Sequence, residues 1–227
     1  MTVRFGLVDS GVAGHQTEYV HKSCGFKAEV IGAVQPDSLG HGTATCEVIC
    51  HHVPDMALYN AQVFDERGVT TAATVAAAID WLRQEKVDLI NLSLGLAFDR
   101  SVLRVACARA VSAGIILIAA SPAQGAAVYP SAYDGIIRAT GDARCAVGEV
   151  SFLDSPQADF GGCPRGIDIP KDHPPRIGGA SMGTAHISGL VAAYLFCGGE
   201  KNAVREWLVS QAKYVHNERR KGGRDNA

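Results

Sequence analysis

No uninterrupted apolar run in this chain reaches the roughly 18 residues that a membrane-spanning helix needs, so a membrane partner is not expected. Neither sign of charge dominates. The formal net charge is −2 and charged residues make up 19%, which gives no electrostatic basis for nucleic-acid binding. No signal-peptide pattern opens the chain, because Met1-Thr2-Val3-Arg4-Phe5-Gly6-Leu7-Val8-Asp9 turns polar too soon. No Cys-x-x-Cys pair occurs among the seven cysteines, at 24, 46, 50, 107, 145, 163 and 197. Cys46 and Cys50 share a helix face with His51 nearby, but no second ligand pair has zinc spacing, so they read as isolated buried thiols. No cluster of Asp and Asn has the form of a calcium loop, and neither a metal nor a cofactor is expected. Repeats and internal linkers are missing too.

What is present suits one globular domain. Of 227 residues, 47% are apolar, enough for a sizeable core. Residues 1–213 read as a single domain and 214–227 as a polar, basic tail. Val3–Val8, Ala28–Val34, Met56–Phe64, Val87–Gly95, Ile115–Ala120 and Gly135–Gly141 read as strands, and residues 12–27 as loop. Helical spacing appears over Thr70–Glu85 and Ser101–Ala113, the first capped by Thr70 or Thr71. A long, almost uncharged helix follows Ser181 to Phe196, and an amphipathic one runs from Glu200 to Lys213. Strands alternating with helices predict an α/β fold with a mostly parallel sheet.

Three polar residues stand where chemistry gathers in such a sheet. Asp9 ends the first strand, and it is either a turn cap or a functional acid. His41 lies between two glycines at the start of a short helix, either as a structural imidazole or as a proton carrier. Ser181 opens the long apolar helix within Gly178-Gly179-Ala180-Ser181-Met182-Gly183. There it is either an N-cap or a nucleophile beside the positive helix end.

Four segments together resemble the subtilases, the subtilisin-like serine peptidases. They are Val8-Asp9-Ser10-Gly11, His41-Gly42-Thr43, Asn91-Leu92-Ser93-Leu94-Gly95 and Gly179-Ala180-Ser181-Met182-Gly183-Thr184-Ala185-His186-Ile187-Ser188-Gly189. They follow the order Asp, His, Ser of the subtilisin triad. The resemblance implies a three-layer fold with helices on both sheet faces. It implies Asp9, His41 and Ser181 as a catalytic triad with an acyl-enzyme mechanism. It also implies Ser93, Leu94 and Gly95 as one wall for the residue before the cut, and Ala119, Ala120 and Ser121 as the other.

The chain departs from the family where an oxyanion-stabilising asparagine is expected. Ala123 holds that position, and no asparagine lies between 92 and 201. The amide of Gln124, one residue along, is the substitute this reading offers; the Ser181 backbone N–H is another. The first triad residue is nine from the start, so no propeptide is expected. With the reduced cysteines this leads to the expectation of a cytoplasmic endopeptidase cutting a dedicated peptide or protein substrate. By analogy, that substrate is a modified precursor losing its leader, such as the small subunit of quinohemoprotein amine dehydrogenase. A non-catalytic peptide-binding relative and a peptide ligase or transpeptidase remain as alternatives.

Overall fold

The computed structural model describes residues 2–27, 30–53, 55–167 and 178–216. The described strands form one ten-stranded sheet. In chain order they are β1 (Val3–Asp9), β2 (Val20–Lys27), β3 (Val30–Gly32), β4 (Met56–Gln62), β5 (Leu89–Leu92), β6 (Ile116–Ala120), β7 (Ile137–Gly141), β8 (Val150–Phe152), β9 (Phe160–Gly162) and β10 (Ala212–Val215). Their order across the sheet is β10-β8-β9-β7-β6-β5-β1-β4-β2-β3. The β2–β3 and β8–β9 pairs are antiparallel, and every other pair is parallel. The helices are α1 (His41–His52), α2 (Ala72–Gln84), α3 (Ser101–Ser112), α4 (Ala180–Phe196) and α5 (Val204–Ser210).

Alternation along the strands divides the core in two. Phe5 and Leu7 of β1 join Leu89 and Ile118 under α1, α4 and α5. Val8 joins Ile90, Leu92 and Leu117 under α2 and α3. Central strands covered on both faces read as continuous apolar runs, which is why β1, β5 and β6 stand out in the sequence. The expected three-layer α/β fold is therefore present. α4 carries no charged residue because most of its length is enclosed: Met182, Ala185, Ile187 and Val191 are fully buried. Thr71 caps α2, its hydroxyl accepting the Thr74 N–H at 3.1 Å.

Two segments differ from expectation. Residues 12–27 hold a 3₁₀ turn (Gly14–Tyr19) and β2, with only three residues of the expected 28–34 strand in β3. β2 pairs parallel to β4, but much of it faces water, so it presents no apolar run. The helix expected over 200–213 is a 3₁₀ turn (Lys201–Ala203) and α5, followed by β10 alongside β8. A boundary at 213 therefore falls inside a strand. Tyr214 is held by the sheet and by the Arg144 guanidinium, 5.1 Å from its ring centre. Tail residues 217–227 lie outside the described residues.

All seven cysteines are unpaired, six of them buried. Among the described residues no helix is long and apolar enough to cross a membrane, and no group of three or more His, Cys, Asp or Glu side chains is placed to hold a metal.

Candidate active site

Parallel register brings the site together. Val8 of β1 lies opposite Leu92 of β5, and Leu92 opposite Ala119 of β6. One step further are Asp9, Ser93 and Ala120, on three neighbouring strands about 4.8 Å apart. They stand at the carboxyl edge of the sheet, where open α/β folds place their chemistry.

Asp9 is fully buried. Its Oδ1 accepts the Ser10 N–H at 2.7 Å and lies 2.7 Å from His41 Nδ1. Oδ2 is buried and has no hydrogen-bond partner among the described residues. A carboxylate at Nδ1 fixes the neutral tautomer with the proton there and leaves Nε2 as the acceptor. The His41 side chain is 27% exposed. Burial alone would depress its pKa. The Asp9 bond and charge, aided by the charge of Asp37, outweigh burial and raise it above the ordinary histidine value.

His41 is the first residue of α1, and its position is set by a residue that the sequence reading passed over. Asp37 Oδ1 accepts from Ser10 Oγ at 2.8 Å, Gly40 N at 3.0 Å and Leu39 N at 3.2 Å. Its Oδ2 accepts from Thr43 N at 2.9 Å and Thr43 Oγ1 at 2.6 Å. Gly42 N donates to Ser10 Oγ at 2.9 Å. The open N–H groups at the start of α1 are thus satisfied from outside the helix. Burial works to raise the Asp37 pKa, but these donors prevail and hold it below the usual carboxylate range. The readable signal was an acid shortly before a glycine-flanked helix start. Gly42 must be glycine, since a Cβ there would come within 2.1 Å of the Gly11 carbonyl oxygen.

Ser181, half-buried in the first turn of α4, meets β5 through Ser93. Its hydroxyl donates to the Ser93 carbonyl at 3.3 Å. The Ser93 hydroxyl lies 3.1 Å from the Ser181 carbonyl oxygen and 2.9 Å from Asn91 Oδ1, with one proton to share. Asn91 Nδ2 then donates to Ser188 Oγ at 3.0 Å. Asn91, Ser93 and Ser188 are all buried, so this chain is closed to water and pins α4 to β5 at two levels. Farther along, His52 Nε2 of α1 and His186 Nδ1 of α4 are 2.9 Å apart, and His186 Nε2 is 2.9 Å from the Arg165 carbonyl. Burial, then His186 and His51, push the His52 pKa down to about 3. Burial likewise lowers that of His186, and the pair is neutral at pH 7.

The six wall residues fall at the same sheet edge. Ser93, Leu94, Ala119, Ala120 and Ser121 are buried and Gly95 is exposed. Ser121 Oγ donates to the Gln157 carbonyl at 2.6 Å. Gln124 is exposed on the bend after β6, beside Ala123. A buried carboxylate bonded to a partly exposed imidazole, with a helix-start serine hydrogen-bonded to the end of the adjoining strand, supplies the groups for nucleophilic acyl transfer.

The Subtilase family model matches residues 6–152, from β1 through β8, with Asp9 and His41 inside the match. The chain belongs to the subtilase family. Ser181 lies beyond that matched stretch. Subtilisin DY of Bacillus licheniformis is 28% identical over 213 residues, 85% of this chain and 76% of that protein. The thermostable alkaline protease of Halalkalibacterium halodurans is 26% identical over 232 residues, 93% of this chain and 62% of that protein. Among solved structures, the S41 psychrophilic protease superposes with a TM-score of 0.68 at 20% identity, over 94% of this subtilase and 85% of that chain. That likeness shows the fold. Family membership supports serine endopeptidase chemistry.

Proposed function

We propose that this subtilase is a cytoplasmic serine endopeptidase that cuts a specific bond in a dedicated protein substrate, with Asp9, His41 and Ser181 as its triad. The observation that carries the reading is the 2.7 Å contact between the buried Asp9 and His41, with Ser181 tied through Ser93 to the end of the neighbouring strand. In the reaction the Ser181 hydroxyl turns from the Ser93 carbonyl and attacks the scissile carbonyl. His41 Nε2 takes its proton and gives it to the leaving amine. Water then attacks the acyl-enzyme and restores Ser181. Asp9 holds the tautomer and stabilises the imidazolium. The substrate lies along Ser93-Leu94-Gly95 as an added strand.

The oxyanion is met by the Ser181 backbone N–H at the start of α4 and by the Gln124 amide, reaching in from its bend. Unpaired thiols support a reducing, cytoplasmic setting. The dedicated substrate is a precursor whose leader is removed after modification, by analogy with leader-processing peptidases such as that for the small subunit of quinohemoprotein amine dehydrogenase.

One observation favours a second reading, a peptide-binding relative without turnover: Ala123 has no amide where the family has one. Fluorophosphonate labelling separates the two. Wild-type protein should take one label at Ser181 and Ser181→Ala none. Absence of label on the wild type establishes the binding module. Incubation with a leader-bearing precursor and mass spectrometry then identifies the bond cut; a joined product instead would mean ligation.

A further inference from the structure

The bend after β6, residues 122–126, carries both Ala123 and Gln124, and little packs against it. Ala123, Gln124, Gly125 and Ala126 are exposed, so no core contact fixes them. A cavity of about 590 Å³ reaches Ser121 and Ala127, the residues on either side of the bend. A donor to a developing oxyanion works only when it is held in place beforehand. A side-chain amide on such a bend therefore needs a restraint from elsewhere in the chain.

Gln157 supplies it at both ends. Its carbonyl accepts the Ser121 hydroxyl at 2.6 Å, just before the bend. Its side-chain Nε2 donates to the Gly125 carbonyl at 3.4 Å, just after Gln124. Among the described residues no other hydrogen bond reaches 122–126. The segment that bears Gln157 is itself tied to β7. Arg138 Nη1 donates to the Pro156 carbonyl at 2.6 Å, and Asp159 N donates to the Arg138 carbonyl at 2.9 Å. The Asp159 carboxylate accepts Arg138 N at 2.9 Å and Arg138 Nε at 3.0 Å. Arg205 of α5 joins it with Nη1 3.2 Å from Asp159 Oδ2, while its Nη2 donates to the Ile136 carbonyl at 2.9 Å. A loosely packed bend is thus clasped by a glutamine whose own backbone is anchored to the sheet.

We infer that Gln157 is a positioning residue for the oxyanion side of this active site. It holds the bend by its two ends and so sets how far the Gln124 amide reaches toward the oxyanion, without touching the reacting atoms itself. The inference rests on the proposed peptidase reading and deepens it, because it names what keeps the donor beside Ala123 in place.

The test uses Gln157→Glu and Gln157→Met, which keep the length of the side chain and the backbone carbonyl on Ser121 but remove the donor to Gly125. Turnover is measured on the fastest-cut member of an internally quenched peptide library, in the wild-type and in the Gln124→Ala background. In the wild-type background both variants should lower kcat about fivefold, the kinetic size of one neutral hydrogen bond, with KM within twofold. In the Gln124→Ala background the same substitutions should change kcat by less than twofold, because the residue they position is gone. Damage to the fold alone would lower kcat equally in both backgrounds, and that result overturns the inference. So does a kcat within twofold of wild type for both variants, or a Gln124→Ala protein that turns over at the wild-type rate. Missing fluorophosphonate label on the wild type refutes the peptidase reading and the inference with it, whereas a labelled enzyme indifferent to residue 157 refutes the inference alone.

Discussion

Replacing Asp37 with asparagine tests how the catalytic histidine is held. Asp37 accepts five hydrogen bonds, three at Oδ1 and two at Oδ2. All five donors point at it, and a carboxamide can accept on only one side. With its oxygen kept on the Ser10, Leu39 and Gly40 donors, its NH₂ faces the Thr43 N–H. The Thr43 hydroxyl can turn and accept, but the amide cannot. A bond to a charged acceptor contributes about 1.5–3 kcal/mol, and Asp37 is only half-buried, so the lower end applies. A loss of about 1.5–2 kcal/mol follows, which for a chain of this length lowers Tm by roughly 3–8 °C. The second effect is electrostatic. The charge of Asp37 helps to raise the His41 pKa. Its removal should shift the acid limb of the kcat/KM profile to lower pH, while the rate on the plateau falls because α1 no longer presents His41 firmly. The assays are thermal unfolding and a pH–rate profile on a fluorogenic peptide. An Asp37→Asn protein that melts within 1 °C of wild type, with its acid limb unmoved, would show that Asp37 does not set the site.

Ser188→Ala should cost about 1–3 kcal/mol, because Asn91 Nδ2 is left buried without its acceptor, and kcat should fall more than KM changes; unfolding and steady-state kinetics check both. Gly42→Ala should abolish labelling at Ser181 or greatly slow it, since its methyl meets the Gly11 carbonyl; labelling at the wild-type rate contradicts the close approach. Stability should decline on acidification through His52 and His186. Their folded pKa values are depressed, so the unfolded chain binds more protons below about pH 6.5. Stability present above that pH is lost as the solution falls toward pH 3, by up to about 1.4 kcal/mol per pH unit for each proton, and Tm measured between pH 8 and pH 4 follows it. His41 has the opposite sign: its contribution is complete at low pH and fades as pH rises through its elevated pKa. Gln124→Ala should slow turnover by on the order of 10²-fold if its amide meets the oxyanion; a change under about threefold excludes it.

The residues that a reader can find in the sequence are those whose surroundings are uniform. β1 is enclosed on both faces, so its apolar run and abrupt end at Asp9 are visible in the letters. Most of α4 is enclosed, and its lack of charge marks Ser181 as the start of a central helix. His41 stands out through its glycines, one of which the Gly11 carbonyl demands. Asp37 does not stand out, because its partners are mostly backbone amides and hydroxyls brought together by one loop. β2 and β10 were missed because strands near the margins of a sheet are half wet, and their apolar and polar residues mix.

The placement of β10 affects how this protein can be handled in the laboratory. Lys213 pairs with Glu149, and β10 covers the outer backbone of β8, which spans only Val150–Phe152. A shortened version that stops after α5 would strip that cover and present unsatisfied N–H and C=O groups to other molecules, an invitation to self-association. Expression trials that end the polypeptide at residue 211 should therefore give turbid or higher-order material, and those that end after His216 should stay dispersed.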